Sequence, residues 1–162
     1  MRYACLLFFL SMPLAAQQGP PSCSTPEFRQ FDFWIGTWDV FGPNGQRVGE
    51  NTIDSVLTGC VLHEQWTNAQ GIQGRSYNMW DRTRSVWHQT WVSAGGLLVI
   101  EGGLVNGAMV MEGETRGRNG AVRNRITWTP VARDSVRQHW ETWNDSTSAW
   151  VTAFDGMYVR RR

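Results

Sequence analysis

The chain has 162 residues, 41% of them hydrophobic, enough for one domain with a real core and too apolar for a disordered chain. It holds 15 arginines, no lysine and 14 acidic residues, for a formal net charge of +1. A balanced chain with scattered arginines has no electrostatic footprint for nucleic acid or an anionic membrane, so neither is an expected partner.

Residues 1–18 carry Arg2, an apolar run from Ala4 to Leu10, and Pro13-Leu14-Ala15-Ala16 before polar Gln17 and Gln18. This is the pattern of a secretory signal peptide over residues 1–16, cut after Ala16; the apolar run is much shorter than the ~20 residues a membrane-spanning helix needs. The alternative is an N-terminal membrane anchor. Cleavage removes Arg2 and Cys5, so the mature chain is predicted to be exported, neutral, and free of an integral membrane segment. Cys23 and Cys60 are then its remaining cysteines, in an oxidising compartment, which predicts a disulfide between them; the alternative is a buried free thiol at Cys60.

Residues 17–25, rich in Gln, Pro and Ser, form a flexible lead-in, and the domain is placed at residues 26–162. Thr25 as an N-cap, Pro26 at the first helical position and apolar residues at 28, 31 and 34 predict a short N-terminal helix. Turn signals then recur: Pro43-Asn44-Gly45, Thr58-Gly59, Asn68 to Gly71, Asp81 to Arg84, Gly95-Gly96, Asn106-Gly107, Asn119-Gly120, Ala132 to Asp134 and Asn144 to Ser148. The segments between them are of strand length and rich in Val, Ile, Thr, Trp and Tyr, about ten strands in all. Connections this short join antiparallel neighbours, and a long sheet with no helix to cover it must fold over or close. The expected fold is all-β, an antiparallel up-and-down meander closing into a lipocalin-like barrel. Gly102-Gly103 is read, like Gly95-Gly96, as a turn or a bulge, and Arg160-Arg161-Arg162 as a solvated tail.

The run Phe31-Asp32-Phe33-Trp34-Ile35-Gly36-Thr37-Trp38-Asp39-Val40 resembles the opening signature of a bacterial domain-of-unknown-function family, family 1579, whose members are similar to calycins. Further landmarks are Gly59-Cys60 with Glu64-Gln65-Trp66, Gly74-Arg75-Ser76-Tyr77-Asn78, Trp87-His88-Gln89-Thr90-Trp91-Val92, Trp128-Thr129-Pro130 and Val136-Arg137-Gln138-His139-Trp140-Glu141. The resemblance spans residues 28–162. It departs at Asn144-Asp145-Ser146-Thr147-Ser148, where the family favours a glycine-rich turn. It implies a barrel fold and no reaction.

Period-two alternation assigns the faces of the strands. Trp87, Gln89 and Trp91 share a face, as do Leu62, Glu64 and Trp66; Ser76, Asn78 and Trp80; and Val136, Gln138, Trp140 and Thr142. Burying the tryptophan-bearing faces points these four sets inward. The predicted ligand-binding residues are Glu64, Trp66, Ser76, Asn78, Trp87, Gln89, Trp91, Gln138 and Trp140, a polar and aromatic lumen suited to a small amphipathic or sugar-like ligand. The alternative is that these groups bond one another and plug the barrel, leaving an interaction module. Trp38, Trp128 and Trp150 are expected to fill core, and Trp34 to close one end.

For catalysis, Glu64 is the one carboxylate placed inward, while Glu141 falls on the opposite face from Gln138; paired carboxylates for glycoside hydrolysis are poorly supported, and Glu64 acting alone as general acid/base in a hydrolase or isomerase is the enzymatic alternative. His63, His88 and His139 fall on the outward faces, so neither a metal site nor a cofactor is predicted. No phosphate loop, Cys-x-x-Cys pair or nucleophile elbow is present.

Overall fold

The computed structural model describes residues 23–117 and 120–162. The predicted signal peptide and the lead-in up to residue 22 lie outside them, as does part of the predicted Asn119-Gly120 turn. A short helix, α1 (Pro26–Arg29), begins after Thr25 with Pro26 in its first turn, and a 3-10 turn follows at Asp32–Trp34. Ten strands come next: β1 (Gly36–Phe41), β2 (Arg47–Val56), β3 (Val61–Asn68), β4 (Gln73–Asp81), β5 (Val86–Ser93), β6 (Gly96–Val105), β7 (Ala108–Gly117), β8 (Gly120–Ala132), β9 (Ser135–Asn144) and β10 (Ala149–Arg160).

Each strand pairs antiparallel with its sequence neighbours, and β1 pairs with β10, so the meander closes into a calycin-like barrel with no free edge. The turn signals work as their chemistry requires. At Asn106-Gly107 both residues have positive φ, 51° and 84°, the geometry of a two-residue hairpin turn whose twist matches its strands.

Phe31 and Trp34 turn into the barrel and are buried, and Phe28 is buried with the Arg82 guanidinium 4.8 Å from its ring. Phe31 stacks on Trp34 with ring centroids 4.9 Å apart and meets Trp87 and Trp128 edge-on at 5.7 and 5.2 Å. This aromatic plug closes one end of the barrel and is tied down at several points. Trp87 Nε1 donates to Gln30 Oε1 at 3.0 Å, Trp38 Nε1 donates to the Trp34 carbonyl at 2.9 Å, and an Arg29 guanidinium N–H donates to the Gly59 carbonyl. Cys23 and Cys60 form a disulfide with their Cα atoms 5.0 Å apart, pinning the segment before the plug to the connection between β2 and β3.

The structure corrects three expectations. Gly102 and Gly103 form neither a turn nor a bulge: they lie inside β6 in regular register with β7. Gly102 shares the inward face of Ile100, and a Cβ there would come within 2.0 Å of the Val110 carbonyl oxygen, so glycine permits the close approach of the β7 backbone. Arg160 and Arg161 are not a solvated tail. The Arg160 guanidinium lies 4.1 Å over the Trp38 ring and donates to the Ile35 carbonyl, while Arg161 pairs with Asp39 and Glu50. Trp150 does not fill the core. It sits opposite Trp143 on the outer face, its ring 5.5 Å from that of Trp143 and beneath the Arg125 guanidinium at 4.2 Å. The cause is a bulge between Thr152 and Phe154, which reverses the parity of β10 between Trp150 and the inward Phe154.

Candidate functional site

The strand registers stack the inward side chains in layers. Nearest the plug are Trp87 on β5, Trp128 on β8 and Val136 on β9, all at most 1% exposed. The next layers up are polar. Asn51 on β2, Glu64 on β3, Ser76 and Asn78 on β4, and Gln89 on β5 are buried, at 4% exposure or less. At the far end the indoles of Trp66, Trp91 and Trp140 and the ring of Phe154 are half-buried and frame the mouth.

The polar layers form a directed hydrogen-bond chain. Gln89 Nε2 donates to Asn78 Oδ1 at 2.6 Å, Asn78 Nδ2 to Ser76 Oγ at 2.9 Å, and Ser76 Oγ to Glu64 Oε2 at 2.6 Å. From the other side Asn51 Nδ2 donates to Glu64 Oε1 at 2.7 Å and reaches Tyr158 Oη at 3.3 Å, and Tyr158 passes its own proton toward Gln138 Oε1. The donors next to Glu64 point at its carboxyl group, an arrangement that favours the ionised form. Burial opposes them and prevails: the Glu64 pKa is pushed up to about 7, with the Ser76 and Asn51 hydrogen bonds and the more distant Arg75 charge holding it down. Burial, with the Glu64 charge as a second cause, raises Tyr158 well above the usual phenol range.

Above this chain lies a cavity of about 230 Å³ lined by Glu64, Trp66, Gln89, Trp91, Leu98, Ile126, Gln138, Trp140, Ala153, Phe154 and Tyr158. The lumen is thus filled in its lower half and hollow in its upper half. Of the nine residues predicted from strand parity, Glu64, Trp66, Gln89, Trp91, Gln138 and Trp140 meet around the cavity. Ser76 and Asn78 sit beneath it as links in the chain, and Trp87 belongs to the plug layer.

Three inward glycines seat the aromatic walls. A Cβ on Gly74 would come within 2.0 Å of the Trp91 indole, one on Gly49 within 2.5 Å of Trp66, and one on Gly156 within 2.6 Å of Phe154. Each ring therefore lies against bare backbone, which widens the lumen at the mouth. The Trp140 indole N–H donates to Asn124 Oδ1 at 2.9 Å, which fixes that ring as well.

Sequence reasoning missed Asn51, Asn124, Phe154 and Tyr158. Sequence reasoning assigns no faces along β10, where the bulge puts Trp150 outward and Phe154 and Tyr158 inward although all three share one parity, so alternation gives no consistent face there. Asn51 alternates with Gly49 and Ile53 on β2, and a polar residue between a glycine and an isoleucine carries no signal of burial.

The three histidines lie on the outer face. His88 bonds Glu101 and Thr90 at 2.8 Å each, His139 bonds Thr152 at 3.0 Å, and His63 stacks on Tyr77 at 5.0 Å. Among the described residues no three His, Cys, Asp or Glu side chains gather as a metal-binding set, and no helix is long and apolar enough to cross a membrane. Glu141 points outward, bonded to Arg125 at 2.9 Å, so among the described residues Glu64 is the single carboxylate in the cavity wall. No protein-family model and no curated protein matches the chain.

Proposed function

We propose that this protein is an exported, lipocalin-like binding protein that holds a small amphipathic or sugar-like molecule in the upper half of its barrel. The observation that carries this reading is the cavity itself. One end of the barrel is sealed by Phe31 and Trp34, and the other keeps a hollow walled by aromatic rings with a few converging polar groups, the usual make-up of a small-molecule site. Filling the lower half with a hydrogen-bonded chain gives the hollow a polar floor in which the donors of Asn51, Ser76, Asn78 and Gln89 are already engaged.

Export is supported by the Cys23–Cys60 disulfide, a bond that persists in oxidising compartments. Membership of the calycin-like family of unknown function is part of the same proposal and rests on the sequence signature, whose Phe31 and Trp34 form the plug and whose Trp38 packs beneath Arg160. A second reading, a hydrolase or isomerase, draws on Glu64, whose pKa near 7 suits a proton-transfer group. Without a second carboxylate in the wall, that chemistry would rest on Glu64 alone.

The test is native mass spectrometry on protein from the exported fraction, followed by titration with the uncharged fluorophore phenylnaphthylamine. A carrier shows a small-molecule adduct lost on denaturation, or saturable, blue-shifted probe fluorescence that Trp91→Ala weakens. An intact mass starting at Gln17 and lacking two hydrogens reports signal cleavage and the disulfide. Absence of both the adduct and probe binding refutes the carrier reading.

A further inference from the structure

We infer that the cavity selects a protonated amine: a small molecule whose ammonium group is drawn to the Glu64 carboxylate and whose apolar body is held among Trp66, Trp91, Trp140 and Phe154. This inference rests on the binding-protein reading and names the ligand class for that same cavity.

The charge inventory of the wall comes first. Its eleven lining residues include one acid, Glu64, and no Arg, Lys or His. The groups around Glu64 add no direct ion pair. Asn51 on β2, Ser76 on β4 and Gln89 on β5 are neutral, Tyr158 on β10 is held protonated, and the Arg75 guanidinium turns away to donate to the Trp66 and Gly74 carbonyls. A buried carboxylate without a cation partner is costly, and a ligand that brings the missing charge gains most by occupying the site. An anionic ligand meets like charge in a low-dielectric wall and is rejected.

Hydrogen-bond supply gives the second argument. An ionised carboxylate offers about four acceptor positions, and the protein fills Glu64 with two donors, from Asn51 and Ser76. Beside it, Asn51 Oδ1 is buried with no partner among the described residues. The floor therefore has acceptors to spare, and an ammonium group is a pure donor.

The walls are the third argument. Aromatic faces attract cations, and the attraction strengthens where water is excluded. Trp140 has already committed its N–H to Asn124, so what remains for a ligand is its ring. Size is compatible: a cavity of about 150 Å³ in another protein holds benzene, and this one is about 230 Å³, enough for an aryl ring with a short aminoalkyl arm.

The experiment is displacement of phenylnaphthylamine from the full-length mature protein by phenethylamine and by its uncharged near-isostere phenethyl alcohol. At about pH 8 the amine is expected to compete at least ~10-fold better than the alcohol, the scale of one charge-assisted contact worth ~1.4 kcal/mol or more. Glu64→Gln brings that ratio close to one. In the wild type, amine affinity falls toward ~10-fold per pH unit below the Glu64 pKa of about 7, while the alcohol stays level; this series needs no variant and stands if Glu64→Gln fails to fold. Equal competition by amine and alcohol overturns the amine inference and leaves the binding-protein reading standing. A protein that binds neither the probe nor either competitor removes both.

Discussion

Replacing Glu64 by Gln should change how stability depends on pH. Burial raises the Glu64 pKa from 4.5 to about 7, so between those values the folded protein holds a proton that the unfolded chain has released. Glu64 therefore weakens the fold progressively as pH rises through this window and weakens it no further above it. A shift of about 2.5 pH units corresponds to ~3 kcal/mol, at 1.36 kcal/mol per unit. Carboxyl groups such as Asp39 and Asp155 act in the opposite sense, since arginine partners hold them below their ordinary values and their contribution is lost as pH falls. The wild type alone thus mixes both trends, and the difference between wild type and Glu64→Gln isolates the buried acid. Urea unfolding of both proteins at about pH 4.5, 6 and 8 should give a stability difference that grows by ~3 kcal/mol toward high pH, in favour of Gln. A constant difference across that range would refute the claim that desolvation controls this group.

The plug should behave as part of the core. Trp34→Ala, which removes a fully buried indole stacked on Phe31, should cost ~3–5 kcal/mol in chemical denaturation. Breaking the disulfide with Cys23→Ser and Cys60→Ser should cost ~2–4 kcal/mol, measured by the same unfolding curves, because the closed loop spans a separation of 37 residues. Gly74→Ala should displace the Trp91 indole, lowering phenylnaphthylamine affinity several-fold with a smaller effect on melting temperature, since the clash is with a half-buried ring at the mouth.

Much of the barrel was legible because its logic is local. Asn-Gly and related turns fix hairpins within a few residues, and strict alternation from Val86 to Val92 separates Trp87, Gln89 and Trp91 from His88 and Thr90 without any tertiary information. The same rule placed Glu64 and Gln138 at the cavity. It failed where geometry departs from period two. The β10 bulge puts Trp150 and Phe154 on opposite faces although four positions separate them, and no residue there announces it. Arg160 was misread for a different reason: an arginine can lie flat on an indole as readily as it can point into water, and its neighbour Trp38 is remote in sequence. The division of the lumen into a filled half and a hollow half depends on how far each side chain reaches, which alternation alone does not contain.

The pairing of β1 with β10 bears on how the barrel assembles. Every other strand pair joins neighbours along the chain, whereas Trp38 meets Arg160 across nearly the whole domain. Loop-closure entropy makes that pairing the most demanding contact in the folding reaction. A nascent chain can zip hairpin after hairpin and still expose two sheet edges until its final strand has emerged. The plug has the same dependence, because Phe31 and Trp34 reach Trp128 on β8. Ring closure and sealing of the bottom are therefore late, coupled events, and the hollow exists only in a chain whose first and last strands have met.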